Sequence, residues 1–116
     1  MLFRSVAGLI VAYAGMWVFE GEAHITNVAV MPECRRRGYG LQIMKESMKK
    51  ARQLGAIRMT LEARKHNIAA QNMYFKCGFV SVGVRPGYYT DTNEDALILW
   101  NDDINMTLEN WPGYPI

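Results

Sequence analysis

Residues 34–47 read Cys-Arg-Arg-Arg-Gly-Tyr-Gly-Leu-Gln-Ile-Met-Lys-Glu-Ser, three arginines running into Gly38-Tyr39-Gly40 and then into a helical pattern. Downstream, Leu41, Met44, Met48, Ala51 and Leu54 fall near one face of a 3.6-residue period. Gln42, Lys45, Glu46, Lys49, Lys50 and Arg52 surround the other. Gly55 stands where a left-handed C-terminal cap is expected. Upstream, Ala23 to Val30 is a β-prone run that Pro32 ends, since proline cannot donate to a ladder. A strand, a glycine turn and a helix in that order make an anion site: the first helical N–H groups lack internal partners and carry the positive end of the macrodipole. Arg35, Arg36 and Arg37 add positive potential at the rim, and glycines at 38 and 40 remove side chains that would hold a diphosphate away. Taken alone, the same residues equally describe a solvated basic turn. They form neither a Walker A loop nor GxGxxG, because no Gly-Lys-Ser/Thr follows and Ile43 stands at the third glycine position.

Before this stretch, Leu2 to Ala7 and Leu9 to Phe19 read as a hairpin about Gly8, and Gly21-Glu22 turns into the third strand. After it, Ile57 to Glu62 alternates, with Ile57, Met59 and Leu61 on one face and Arg58, Thr60 and Glu62 on the other. Asn67 is an N-cap for a helix over Ile68 to Cys77, closed by Gly78. Phe79 to Val84 reads as a strand, Arg85 to Asn93 as a polar, Tyr-rich loop, and Ala96 to Trp100 as the last strand. The tail, about 101–116, is expected to be irregular. The order β-β-β-α-β-α-β-β describes a mixed α/β sheet.

The 116 residues suit a single domain over 1–116. With 13 basic against 11 acidic residues the net charge is only +2, which argues against a dedicated nucleic-acid binder. Cys34 and Cys77 show no metal-ligand spacing, so no metal is expected, and two such thiols suit a reducing compartment. The apolar run Leu9 to Phe19 is too short to span a bilayer and lacks a signal peptide's basic flank. No membrane role and a cytoplasmic location are expected. His24 reads as a polar strand-end residue and His66 as a loop residue, and neither cysteine has a histidine near it in sequence to make it a nucleophile.

Arg35-x-x-Gly38-x-Gly40, directly after Asn-Val-Ala-Val-Met-Pro, resembles the acetyl-CoA signature of the GCN5-related N-acetyltransferases, the GNAT superfamily. Leu61-Glu-Ala-Arg-Lys-His-Asn67, followed by Ala69 to Phe79 with its tyrosine and Gly-Phe, resembles the second signature of the same superfamily. The likeness runs from Leu2 to Trp100. Within the superfamily the tokens TNVAV, LEARKHN, MYFKCGF and GYYTDTNEDALIL resemble the ribosomal-protein-alanine N-acetyltransferases, the RimI group.

The resemblance implies a mixed, mostly antiparallel central sheet flanked by helices, with acetyl-CoA as co-substrate. It implies direct transfer of an acetyl group to a primary amine in a ternary complex, most closely the N-terminal α-amine of a ribosomal protein. A small-molecule amine acceptor, or a catalytically incomplete acyl-CoA-binding fragment, stand as alternatives. An α-amine with a pKa of about 7.7–8.0 needs far less help to become neutral than a lysine amine at about 10.4. By the resemblance Glu62 is the base and Tyr74 the acid that protonates the departing thiolate. Val28, Ala29 and Val30 meet the pantetheine arm. Arg35, Arg36, Arg37, Gly38, Tyr39, Gly40 and Leu41 surround the diphosphate. Asn67 contacts CoA as well as capping its helix, and Tyr88 and Tyr89 border the acceptor groove. The family begins with a strand and two helices that have no counterpart before the hairpin here. An N-terminally truncated version of the fold is therefore expected, with uncovered apolar surface that a homo-oligomer would bury.

Overall fold

The computed structural model describes residues 2–6, 9–30 and 38–111, with side chains from residue 13 onward; Arg35, Arg36, Arg37 and Cys34 lie outside the described residues. Strands β1 (Leu2–Val6) and β2 (Leu9–Phe19) pair antiparallel as expected, the turn expected at Gly8 lying outside the described residues, and β2 pairs in turn with β3 (Glu22–Val30). Helix α1 (Tyr39–Gln53) leads to β4 (Arg58–Arg64), and α2 (Ile68–Lys76) leads to β5 (Val80–Tyr89) and β6 (Glu94–Asn101). The six strands make one sheet in the order β1-β2-β3-β4-β6-β5, antiparallel throughout except for the parallel pair β3–β4. This is the mixed, mostly antiparallel architecture that the family resemblance implies.

The β3–β4 pair positions the site. It joins only Glu22, Ala23 and His24 to Arg58, Met59 and Thr60. Just beyond, the β2–β3 register jumps from Met16–Ile25 to Gly15–Asn27, which leaves Thr26 as an extra residue in β3. Such a bulge bends its strand. Gly15 makes room for it, because a Cβ there would run into the Asn27 carboxamide and lie 2.8 Å from Thr26 Oγ1. From that point β3 follows β2 as far as Val30, while β4 follows β6 as far as Arg64, so the two neighbours diverge.

One face of the sheet carries the core. Ala23, Ile25, Met59, Leu61 and Leu99 pack with Met44, Met48 and Ala51 of α1, Tyr74 of α2, and Phe79. The buried stripe of α1 is Ile43, Met44, Ser47, Met48 and Ala51, rotated from the expected one, and Leu54 is 56% exposed. Ser47 enters the core because its hydroxyl donates to the Ile43 carbonyl at 2.7 Å, satisfying a polar group that sequence hydropathy counts against burial. Ile57 precedes β4 and is exposed, whereas Met59 and Leu61 are buried as expected. By strand register the other face carries Trp17, His24, Thr60, Glu62, Arg64, Ile98 and Trp100. It includes large exposed side chains, Trp17 at 52% and Phe19 at 65%.

Two further expectations are corrected. The 85–93 loop is in part strand: β5 continues to Tyr89 through an irregular register, with Arg85 opposite Ala96 and Tyr89 opposite Glu94. Pro86 is tolerated because β5 is an edge strand, and Gly87 donates its N–H to Asp95 Oδ1 at 2.9 Å. The tail is not irregular from residue 101. Asp103 caps a short helix α3 (Ile104–Glu109) by accepting from the Met106 N–H at 3.1 Å, and Ile104 is fully buried. Asn101 anchors it, donating to the Cys77 carbonyl at 3.0 Å and to Thr107 Oγ1 at 2.8 Å. Among the described residues no helix is long and apolar enough to cross a membrane.

Candidate active site

Alongside β3, beyond the point where it leaves β4, a cleft of about 750 Å³ opens. Its strand wall is Val28, Ala29 and Val30; its second wall is the start of α1, Gly38, Gly40 and Leu41. The third wall is α2, through Asn67, Ala69, Ala70, Asn72, Met73, Tyr74 and Lys76.

The two helix starts differ. Gly38, at the N-cap of α1, has φ of 80°, a left-handed conformation open to glycine at little cost, and supplies no capping side chain. The ladder begins with the Gln42 N–H donating to the Gly38 carbonyl at 3.0 Å. The amides of Tyr39, Gly40 and Leu41 therefore have no acceptor within the helix, and no acidic side chain stands in that first turn. Gly40 has a second reason to be glycine: a Cβ would lie 2.5 Å from Met73 Sδ, so its absence lets α1 and α2 approach. At α2, Asn67 does cap, accepting from the Ala70 N–H at 3.2 Å. Gln71 donates to the carbonyls of Arg64 and Lys65 at 2.9 and 2.8 Å, fastening α2 to the end of β4.

Tyr74 is 8% exposed, edge-on to Phe79 at 6.1 Å between ring centroids. Burial first, then proximity to Tyr89 and Cys77, pushes its phenol up to about 12. Burial likewise pushes the Cys77 thiol up to about 12. Cys77 is thus an inert core residue, as the sequence suggested.

Glu62 lies on the other sheet face, its side chain 12% exposed, with Oε2 2.7 Å from His24 Nε2. Trp17, opposite His24 on β2, stands edge-on to the imidazole at 5.2 Å. Tyr88 and Tyr89 meet edge-on at 5.0 Å. The Arg64 guanidinium covers the Tyr89 ring at 4.0 Å, and Arg85 lies over Tyr88 at 5.3 Å. The Tyr89 phenol is raised by burial, against the opposing charge of Arg64, with further contributions from Tyr88, Glu62 and Glu94. Tyr89 thereby stands in electrostatic reach of both Glu62 and Tyr74.

The structure brings Val28, Ala29, Val30, Gly38, Gly40, Leu41, Asn67 and Tyr74 to one cleft. Glu62, Tyr88 and Tyr89 are not on its lining. Tyr39 packs instead beside Ala14 and Ile43. Sequence reasoning missed Ala69, Ala70, Asn72, Met73 and Lys76, which helical spacing from the Asn67 cap could have supplied. It also left His24 without a role. Nothing in one sequence reveals that contact, which depends on the parallel register of β3 with β4.

The model of the acetyltransferase (GNAT) family matches residues 3–79. The chain belongs to this family. A Bacillus subtilis (strain 168) protein named as a candidate ribosomal protein bS18-alanine N-acetyltransferase is 39% identical over 93 residues, covering 80% of this chain and 62% of the relative. The Escherichia coli (strain K12) ribosomal protein bS18-alanine N-acetyltransferase is 34% identical over 94 residues, covering 79% and 64%. The chain thus spans a little over three fifths of the length of these relatives. The crystal structure of Ard1 from Thermoplasma volcanium superposes with a TM-score of 0.80 at 31% identity, over 84% of this chain and 66% of that one.

Proposed function

We propose that this chain is an acetyl-CoA-dependent N-acetyltransferase acting on a protein N-terminal α-amine by direct transfer in a ternary complex. The observation that carries the reading is the cleft walled by β3, by an uncapped helix start and by α2 with Tyr74, in a member of this family. The relatives named ribosomal protein bS18-alanine N-acetyltransferases support a protein amine as acceptor, and a cytoplasmic location is part of the same proposal.

The residues fit the co-substrate. The amides of Tyr39, Gly40 and Leu41 would hold its diphosphate, with Arg35, Arg36 and Arg37 close by in sequence. Val28 and Ala29, on a strand that β4 has left, would offer backbone groups to the pantetheine amides. Asn67, at the cleft, would add a polar contact from its capped position. When bound, acetyl-CoA supplies the activated thioester. Glu62 accepts a proton from the incoming ammonium, and Tyr74 donates one to the departing sulfur. Tyr88 and Tyr89 border the acceptor. Burial holds the Tyr74 phenol in its protonated form, the form that can donate to the departing sulfur.

The test is calorimetric titration with acetyl-CoA, followed by mass spectrometry of an Ala-initiated peptide and of a small amine incubated with enzyme and acetyl-CoA. Micromolar binding and acetylation at the peptide α-amine are expected. Failure of the folded chain to bind acetyl-CoA would overturn the reading. Binding without turnover on either acceptor would favour an acyl-CoA-binding module, a second reading supported by the exposed Trp17 and Phe19 on the Glu62 face. The same surface supports a homo-oligomer.

A further inference from the structure

We infer that His24 is a positioning residue for the Glu62 carboxylate, an inference that rests on Glu62 being the base. His24 sits opposite Thr60 in the short parallel pairing, so Glu62, two residues further along β4, emerges on the same face just where β3 turns away. The imidazole reaches across that opening, and the 2.7 Å contact has the length of a charge-assisted hydrogen bond. An ionised carboxylate only accepts, so Nε2 carries the hydrogen and donates to Oε2. This leaves Oε1 to receive the substrate's proton.

The surrounding charges are committed elsewhere. Arg58 is held by Glu22 at 3.1 Å and Asp102 at 2.9 Å, while Arg64 is held by Asp91 at 3.1 Å and Glu94 at 3.3 Å. The Thr60 hydroxyl donates to the Leu99 carbonyl at 2.9 Å. Among the described residues, His24 is the side chain that hydrogen-bonds Glu62. Trp17 stands edge-on against its ring and restricts where it can turn. Without His24 the carboxylate would lose the one side-chain hydrogen bond that it makes among the described residues and would sample several rotamers. A misplaced base costs rate without altering how the co-substrate is held.

Proton balance follows directly. The ammonium N–H bond breaks and an O–H bond forms on Oε1. The freed electron pair forms the C–N bond to the acyl carbon as the C–S bond breaks. Tyr74 protonates the departing sulfur, the second amine proton goes to the Tyr74 oxygen, and Glu62 gives its proton to solvent. The hydrogen bond from His24 to Oε2 persists throughout.

The experiment compares wild type, His24→Ala, His24→Gln and Glu62→Gln with acetyl-CoA and an Ala-initiated peptide, after calorimetry has shown that each variant binds acetyl-CoA. His24→Ala is expected to lower kcat about tenfold with the KM for acetyl-CoA unchanged. His24→Gln, whose amide can still donate to Oε2, should restore kcat to within about threefold of wild type. Wild-type kcat in His24→Ala, or a Gln variant no better than Ala, overturns the inference. Should His24→Ala fail to bind acetyl-CoA, the Gln variant and His24→Asn, whose amide falls short of Oε2, make the same comparison. Glu62→Gln separates the two claims. If it is inactive while His24→Ala is normal, only the role of His24 falls; if it is fully active, Glu62 is not the base.

Discussion

Glu62 and Glu94 lie on neighbouring strands, are equally shielded at 12% side-chain exposure, and each meets a histidine. Their surroundings differ in the number of donors. Glu94 accepts from the His66 backbone N–H at 2.9 Å, from His66 Nδ1 at 3.0 Å and from Arg64 at 3.3 Å. The backbone donor first, with the Arg64 and His66 side chains adding to it against desolvation, holds its carboxyl below the usual range. Glu62 accepts from His24 at one oxygen. A carboxylate with three donors is a fastening, here between the β5–β6 turn and the end of β4. One with a single donor keeps an oxygen for chemistry. The chemical type is the same, and the donor count separates the roles.

The largest expected effect is the one that would break this contrast outright. Glu62→Gln should lower kcat by about 10²–10⁴-fold with acetyl-CoA affinity intact, whereas Glu94→Gln should leave kcat within about threefold. Steady-state kinetics on both variants decides it; a large kcat loss in Glu94→Gln alone would reverse the assignment. Next comes Tyr74→Phe, which removes the acid and keeps the ring against Phe79. A kcat loss of about 10–100-fold is expected, smaller than for Glu62, with an unchanged thermal midpoint. A still smaller change tests whether co-substrate binding is separate from both carboxylates. Gly38→Ala forces a side chain into a left-handed conformation at a cost of about 1–2 kcal/mol, and should weaken acetyl-CoA binding about tenfold by unsettling the start of α1. Calorimetry reads this directly, and unaltered affinity would detach Gly38 from the cradle.

Periodicity made the fold legible where local rules dominate. Met59 and Leu61 against Thr60 and Glu62, the Asn67 cap, and the glycines at 38 and 78 all act within a few residues of themselves. The misreadings came from partners distant in sequence. Arg85 to Tyr89 looked like a loop because the run from 85 to 93 is polar and Tyr-rich, yet Ala96 and Glu94 across the ladder hold it as an edge strand. Asp103 is an N-cap of the same kind as Asn67, but the helix after it is only six residues long and depends on Asn101 reaching back to Cys77. Val28, Ala29, Val30, Gly38, Gly40, Leu41, Asn67 and Tyr74, which motif likeness named, line the cleft, whereas Ala69, Ala70, Asn72, Met73 and Lys76 do so outside the residues it named. The His24–Glu62 contact required the register of two strands 38 residues apart. No local pattern encodes that.

The smallest effect concerns stability, and it sharpens the contrast from the Glu94 side. The carboxyls of Glu94 and Asp91 are both held below their ordinary values, Asp91 chiefly by its hydrogen bond from Arg64. The unfolded chain therefore takes up protons at higher pH than the folded one. Their contribution is complete above the ordinary carboxylate values of 4.5 and 3.8 and is lost as pH falls through the depressed folded ones. The thermal midpoint should accordingly drop between about pH 5 and about pH 3. Both groups are screened by solvent, so the slope should be shallow. Glu94→Gln, which keeps an acceptor but removes the ionisation, should flatten it further, and melting curves across that range would show this. A slope identical to wild type would mean that the donors around Glu94 hold the turn through geometry alone, leaving charge to distinguish Glu62 and Glu94 in catalysis only.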